Sequence, residues 1–494
     1  MLIIKNGLVT DPVTGTEEIL DIAIEGNKIS RIARKIEPDG KIEPDGEIEH
    51  AGEIESAGEI ESAGEIESAG EIESAGEIES VGEIESAGET EPGGETGPDR
   101  KIGTSGKVGT ESSECTVIDA SGCRVVPGLI DTHVHFRDPG FPEKECIETG
   151  AAAAKKGGFT TVICMANTRP AVDSVEVLER NLEKGRKTGI HVLQAVTVTK
   201  EMKGRELVDL ETLARAGAAG FTDDGLPIMN ESLLYEAMQR ACALGLPLSL
   251  HEEDPAFLAS QGVNRGRVSE AMGLGGASSL AEEVLVSRDC AMALHTGTEL
   301  VIQHISSGNS VKIIRAFKAM GAHIHAEATP HHFTLTEDAV LKYGTYARMN
   351  PPLRTAEDRE EIIKGLADGT IDLIATDHAP HTSEEKARPF AQAPSGITGL
   401  ETSLGLAVTN LVRTGRLTML QLLEKMYLNP ARLYHLPAEG LREGAPADIV
   451  IFNENETFTV DHFASRAVNS PFAGWTLHAP VLYTICGGKI VYER

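Results

Sequence analysis

The sequence predicts an α/β protein: a (β/α)8 TIM barrel with a small β-sandwich domain formed by the N- and C-terminal segments. Three observations carry that prediction. Between residues 128 and 439, eight apolar strand-like runs alternate with helical stretches, the pattern of βα units around a parallel sheet. Before residue 37 and after residue 440 the texture changes to short alternating strands. Histidines and aspartates gather at the ends of the barrel runs, where barrels of this kind carry their chemistry.

Residues 1–36 open the small domain. LIIKNGLV and DIAIEGNKISRIA alternate apolar and polar positions, with Gly and Asn at the breaks, which reads as antiparallel strands joined by hairpins. A six-residue repeat follows, from IEPDGK through successive copies of IESAGE to GETGPD. One isoleucine per hexad buries too little apolar surface to offset chain entropy. Residues 37–112 are therefore predicted to be a disordered or loosely ordered acidic insertion. Parallel β-helices also use hexads, but here the acidic side chains along each face would repel one another. Strand texture resumes at CTVIDASGCRVVPG, as if the insertion interrupted a hairpin, so 113–127 belongs with 1–36.

The barrel runs are 128–136, 159–167, 190–198, 218–225, 247–254, 299–306, 323–332 and 371–380. CIETGAAAAKKG, SVEVLERNLEKGRK, ESLLYEAMQRACALG, LAEEVLVSRDCAMALHTG and SVKIIRAFKAMG are the predicted helices between them. From 440 to 494, GAPADIVIFN and APVLYTICGGKIVYER return to short strands, so the two chain ends are expected to meet in one small domain.

Composition narrows the class. The chain has 494 residues, long enough for a large catalytic domain and a smaller one, and 40% hydrophobic content is ordinary for a soluble protein. No apolar run is long enough to cross a bilayer, and the opening residues do not read as a signal peptide, which predicts a cytoplasmic protein. The seven cysteines show no Cys-x-x-Cys and read as free thiols. Residues 37–111 hold 23 acidic and 4 basic side chains, so that segment carries −19 of the net charge of −31. No basic patch answers a phosphate backbone, which disfavours nucleic acid as a partner.

The chemistry is written at the strand ends. His133 and His135 lie two apart on the first run, PGLIDTHVHFRDPG, so both side chains reach the same side of the strand and can address one metal ion. Asp223-Asp224 ends the fourth run, His251 the fifth, His304 the sixth and Asp377-His378 the eighth. Any one of these is unremarkable as a structural histidine or a turn aspartate. Their joint placement is not. Imidazole and carboxylate without thiolate suit zinc and similar divalent ions. Two such ions, about 3.5–4 Å apart, acidify a shared water into a hydroxide nucleophile near neutral pH. Hydrolysis at a carbonyl, or its reversal, is the expected reaction, with the strand-eight aspartate moving the proton.

HVHFRDPG, MANTRP, FTDDG, HEED, QHIS, TPHH, MNPPLR and TDHAPHT, in this order and spacing, resemble the amidohydrolase superfamily and within it class I (Bacillus-like) dihydroorotases. The resemblance covers the chain apart from the acidic insertion. It implies reversible cyclisation of N-carbamoyl-L-aspartate to L-dihydroorotate in de novo pyrimidine (UMP) biosynthesis, with two zinc ions per subunit. Residue by residue it implies that His133, His135 and Asp377 hold one zinc, that His251 and His304 hold the other, and that Asp224 is shared. Asp377 is then also the general acid/base. Arg137, Asn167, Asn350 and His381 match substrate-binding positions, with the backbone at Ser395 and Gly396 closing over the ring. An arginine fork and an amide suit the substrate carboxylate. The resemblance gives His331 and His332 no metal role. Family members often form homodimers or assemble with aspartate transcarbamoylase.

One departure inside a motif is Ala166, where relatives usually have proline. Allantoinases and dihydropyrimidinases on the same scaffold usually bridge their metals with a carbamylated lysine, whereas FTDDG offers an aspartate. A silent partner subunit tends to lose ligands, and every candidate ligand is present here. An acidic binding module with a vestigial barrel is the remaining alternative.

Overall fold

The computed structural model describes residues 1–37 and 115–494, so the acidic repeat lies, apart from its first residue, outside the described residues. Leu2–Asp11 and Thr16–Glu25 pair antiparallel, and Thr16–Glu25 pairs in turn with Lys28–Ala33. The second hairpin turns on Gly26-Asn27. Gly26 has φ 61°, the left-handed backbone that a two-residue turn of the II′ kind needs at its first central position.

Thr116–Asp119 does not complete a hairpin with Lys28–Ala33, contrary to the expectation of an interrupted hairpin. It runs parallel to Leu2–Lys5, and Arg124–Pro127 continues along the same edge at Leu8 and Val9. Thr16–Glu25 already occupies the other edge of the first strand, and a parallel pairing is open to a strand that returns after a long connection. Ile449–Phe452 joins Arg124–Pro127, Val481–Cys486 joins Ile449–Phe452, and Lys489–Glu493 ends the sheet. The two chain ends thus share one eight-stranded sheet over a core of Ile4, Ile22, Ile24, Ile29, Val125 and Ile449.

The barrel follows in chain order. Its strands are Leu129–Val134, Phe159–Cys164, His191–Gln194, Leu248–Leu250, Leu300–Ile302, Ile324–Ala328 and Leu373–Ile374. The fourth of the eight expected strands is reduced to Phe221, bridged to Val196 on one side and Leu248 on the other. Its ladder persists: Phe221 N donates to Pro247 O at 3.0 Å and Ser249 N to Phe221 O at 2.9 Å. The ring closes where Val134 bridges His378 and His135 N donates to His378 O at 2.9 Å.

All five helical stretches are helices: Ile147–Lys156, Val175–Gly185, Glu231–Leu244, Leu280–Thr296 and Gly308–Ala319. Asn230 caps one by accepting from Leu233 N, and Gly245, at φ 65°, ends the same helix. No helix among the described residues is long and apolar enough to cross a membrane.

Candidate active site

The strand ends converge on Asp224. Its Oδ1 lies 3.6 Å from His133 Nε2, 3.9 Å from His251 Nδ1 and 3.8 Å from His304 Nε2. Its Oδ2 lies 3.5 Å from His135 Nε2. Asp224 therefore belongs to two groups able to hold a metal ion, one with His133 and His135 and one with His251 and His304. Asp377 Oδ1 adds a carboxylate to the first, 2.9 Å from His135 Nε2 and 3.6 Å from His133 Nε2. All six residues are buried or nearly so.

Neighbouring groups fix which ring nitrogens face inward. Asn167 Nδ2 donates to Asp224 Oδ2 at 2.9 Å, so its Oδ1 accepts from His135 Nδ1 at 3.0 Å. His135 Nε2 is then bare toward the carboxylates. His133 Nδ1 donates to Glu327 Oε2 at 3.1 Å, and Thr132 Oγ1 donates to Glu327 Oε1 at 2.7 Å. His133 Nε2 is left buried with no hydrogen-bond partner, a costly state unless something accepts its lone pair. His251 Nε2 donates to Glu253 Oε2 at 3.3 Å, which leaves His251 Nδ1 bare, 3.0 Å from His304 Nε2. Bare ring nitrogens aimed at shared carboxylates fit a divalent cation.

Charge follows the same layout. Burial alone would raise the Asp224 carboxyl, but His133, His304 and His135 outweigh it and hold the group well below the usual carboxylate range. Asp377 is likewise kept ionised against its burial, by its closeness to His135 and the other histidines around it. Asp223, the first of the Asp-Asp pair, turns away to accept from Val198 N at 2.8 Å and from Thr199. Burial pushes it up to about 6. The backbone is held off its relaxed geometry at three of these strand ends: Arg137 (φ 57°), His304 (33°) and Asp377 (47°). Left-handed non-glycine residues cost roughly 1–3 kcal/mol each, so packing at the barrel mouth overrides local preference.

The expected substrate residues share one cavity of about 320 Å³. Arg137, Asn167, Asn350, His381, Ser395 and Gly396 all line it beside Asp224 and Asp377. Arg137 Nε donates to Pro380 O at 3.3 Å, and among the described residues its guanidinium forms no salt bridge. His381 Nε2 donates to Ser395 O at 2.9 Å, and Ser395 Oγ donates to Asn350 Oδ1 at 3.0 Å. Burial and then Arg137 push His381 far below the usual imidazole range, so it stays neutral. Asn167 faces the cavity with its amide hydrogen-bonded to His135 and Asp224.

Several contributors escaped the sequence reading. Glu327 and Glu253 orient the rings of His133 and His251. Asn469 ties two wall segments together, with Nδ2 donating to Ala379 O at 3.0 Å and Gly396 O at 3.1 Å while Oδ1 accepts from His381 N at 3.0 Å. Arg348 lines the cavity and donates to Gln261 O at 2.8 Å. Glu327 had a signal, since a glutamate inside the apolar run HIHAEA contradicts a buried strand unless it has a fixed partner. Asn469 had none. Glu327→Gln is expected to lower metal affinity by roughly 10–100-fold while activity returns at excess metal; competition with a chromogenic chelator measures it.

His331 and His332 do not end a strand. The seventh strand stops at Ala328, and both histidines lie in the short helix Pro330–Thr334. His332 Nδ1 accepts from Thr329 Oγ1 at 2.8 Å and its Nε2 donates to Pro351 O at 3.1 Å, so both ring nitrogens are used. Burial lowers His331 to about 4. Between its ordinary value near 6.5 and about 4, the unfolded chain binds a proton that the folded chain refuses. Stability should therefore fall as pH drops through that window, by up to about 1.4 kcal/mol per unit. His331→Gln should remove one proton's worth of that slope in urea unfolding, read as the difference from wild type.

A family model described as Dihydro-orotase-like matches residues 122–310. The Clostridium acetobutylicum dihydroorotase is 47% identical over 495 residues, covering 100% of both chains. The chain belongs to the dihydroorotase family. The Clostridioides difficile dihydroorotase is 59% identical over 377 residues, 76% of this chain and 90% of that one. The Streptococcus pneumoniae dihydroorotase is 41% identical with 100% of both chains covered. Among solved structures, the L-hydantoinase (dihydropyrimidinase) of Arthrobacter aurescens superposes with a TM-score of 0.75 at 21% identity, covering 100% of this chain and 96% of that one. The dihydropyrimidinase of Brevibacillus agri NCHU1002 gives a TM-score of 0.73 at 18% identity, with 99% and 95% covered. At those identities the superpositions establish the fold, a TIM barrel with a β-sandwich domain. The dihydroorotase relatives establish the family.

Proposed function

We propose that this member of the dihydroorotase family interconverts N-carbamoyl-L-aspartate and L-dihydroorotate in pyrimidine biosynthesis. The observation that carries the substrate class is Arg137, a cation without a carboxylate partner among the described residues, lining the same cavity as Asp224 and Asp377. A charge kept there is costly unless an anion meets it. The substrate carboxylate is such an anion, whereas a neutral hydantoin or dihydrouracil ring brings none.

His133, His135 and Asp377 would hold one zinc ion and His251 and His304 a second, with Asp224 shared. Two bound ions would supply a water acidified toward neutral pH and polarise the ring carbonyl. Asp377, ionised and at the edge of the cavity, takes the proton of the attacking water. It returns that proton to the amide nitrogen as the C–N bond breaks, and in cyclisation it runs the same transfer backwards. Arg137 and Asn350 orient the carboxylate and ring, neutral His381 beside them holds the Ser395 carbonyl through its Nε2 without adding charge, and Ser395-Gly396 covers the ring. The small domain, residues 1–36, 113–127 and 440–494, frames a barrel spanning 128–439. Assembly as a homodimer or with aspartate transcarbamoylase belongs to the same reading and rests on the family resemblance alone.

The test is turnover of L-dihydroorotate and N-carbamoyl-L-aspartate by metal-replete protein, with allantoin and dihydrouracil as controls. Activity confined to the first pair, lost on chelation and restored by zinc, is the expected result. Preference for a neutral ring would overturn it.

A further inference from the structure

A second group of metal-ligating side chains lies away from the barrel mouth. His191 begins the third barrel strand, Asp448 immediately precedes Ile449–Phe452, and Cys486 ends Val481–Cys486. The antiparallel register pairs Ile449 with Ile485, so the next step along each strand sets Asp448 beside Cys486. His191 reaches across from the barrel, with Nε2 2.9 Å from Asp448 Oδ2. Gly487 N donates to Asp448 Oδ1 at 2.7 Å and fixes the carboxylate with its other oxygen toward the histidine. An imidazole nitrogen, a carboxylate oxygen and a thiol sulfur thus lie within 4.8 Å of one another.

We propose that His191, Asp448 and Cys486 form a second, peripheral binding site for a divalent borderline-soft transition metal such as zinc, clamping the barrel to the terminal sheet. The donor set is right for such an ion: one neutral imidazole and two anions, carboxylate and thiolate, which together neutralise its charge. Binding forms the metal–sulfur bond and releases the Cys486 thiol proton to solvent. A fourth position is open, because the cluster borders two depressions. One of about 330 Å³ is lined by His191, Asp448 and Gly487, and the other, of about 590 Å³, by His191, Cys486 and Gly487. A hydrogen-bonded His191–Asp448 pair with an incidental cysteine is the alternative. It requires neither a thiolate nor an ion.

Cobalt(II) separates the two, and separates this site from the catalytic one. None of the residues gathered around Asp224 is a cysteine, so cobalt bound there gives no sulfur-to-metal charge-transfer band. Full-length protein stripped of metal and titrated with cobalt(II) is expected to develop that near-ultraviolet band. The band should vanish in Cys486→Ser, weaken in His191→Ala and persist in Cys242→Ser, which removes an exposed thiol elsewhere. Turnover of metal-replete Cys486→Ser should equal that of wild type, and zinc should raise the melting temperature of wild type more than that of the variant. A band that is absent from wild type, or that survives Cys486→Ser, overturns the site whether or not the enzyme turns over dihydroorotate.

Discussion

Asp377→Asn is expected to lower kcat with L-dihydroorotate by roughly 10²–10⁴-fold, the usual contribution of a positioned acid/base. The substitution keeps the shape of the side chain and one oxygen near His135 Nε2, 2.9 Å away in the wild type. What it removes is a carboxylate held ionised among histidines, and with it the proton acceptor. Because the same residue would hold one metal ion, kinetics must be paired with metal analysis. A large loss of kcat at full metal content supports the proton-transfer role. Unchanged kcat under those conditions would refute it, and lost metal restored by excess zinc with normal kcat would reduce Asp377 to a ligand.

Arg137→Met should act on a different parameter. In the proposed function the guanidinium is the cavity's fork for a carboxylate, and charged hydrogen bonds of this sort contribute about 1.5–3 kcal/mol. That corresponds to a roughly 10–150-fold loss in kcat/KM, expected chiefly as a raised KM. Arg137→Lys should recover little, since a point charge on a flexible stem does not reproduce the planar fork. The informative control is a neutral ring: its poor turnover should be unaffected or improved by Arg137→Met. An equal loss for dihydrouracil would show that Arg137 supports the fold through Pro380 and does not read charge.

Much of this site was legible because barrel topology turns strand ends into neighbours. His133-x-His135 and Asp224, His251, His304 and Asp377 each end a recognisable apolar run, and the fold does the rest. Choosing Asp224 over Asp223 rested on resemblance; in the fold Asp223 accepts from Val198 and Thr199, while Asp224 faces the histidines. What stayed hidden depends on long-range contact. Asn469 meets Ala379, Gly396 and His381 across many residues of chain, and no local pattern announces such an encounter. Glu327 was visible as an anomaly but not as a partner of His133. The pairing of Thr116–Asp119 was misread for the same reason, since hydrophobic alternation specifies a strand and its faces but not which edge it will join.

Ile36 and Cys115 pack against the same small cluster around Ile3 and Ala23. Ile36 N donates to Asp21 Oδ2 at 2.9 Å, and Thr116 N donates to Met1 O at 3.0 Å. The folded body thus grips both ends of the excursion at one place, with bonds that do not depend on what runs between them. Closing a chain of twice the length between fixed ends costs only about 0.6 kcal/mol more. Adding or removing whole hexads is therefore expected to leave these anchoring bonds, and the strand registers on either side of them, in place.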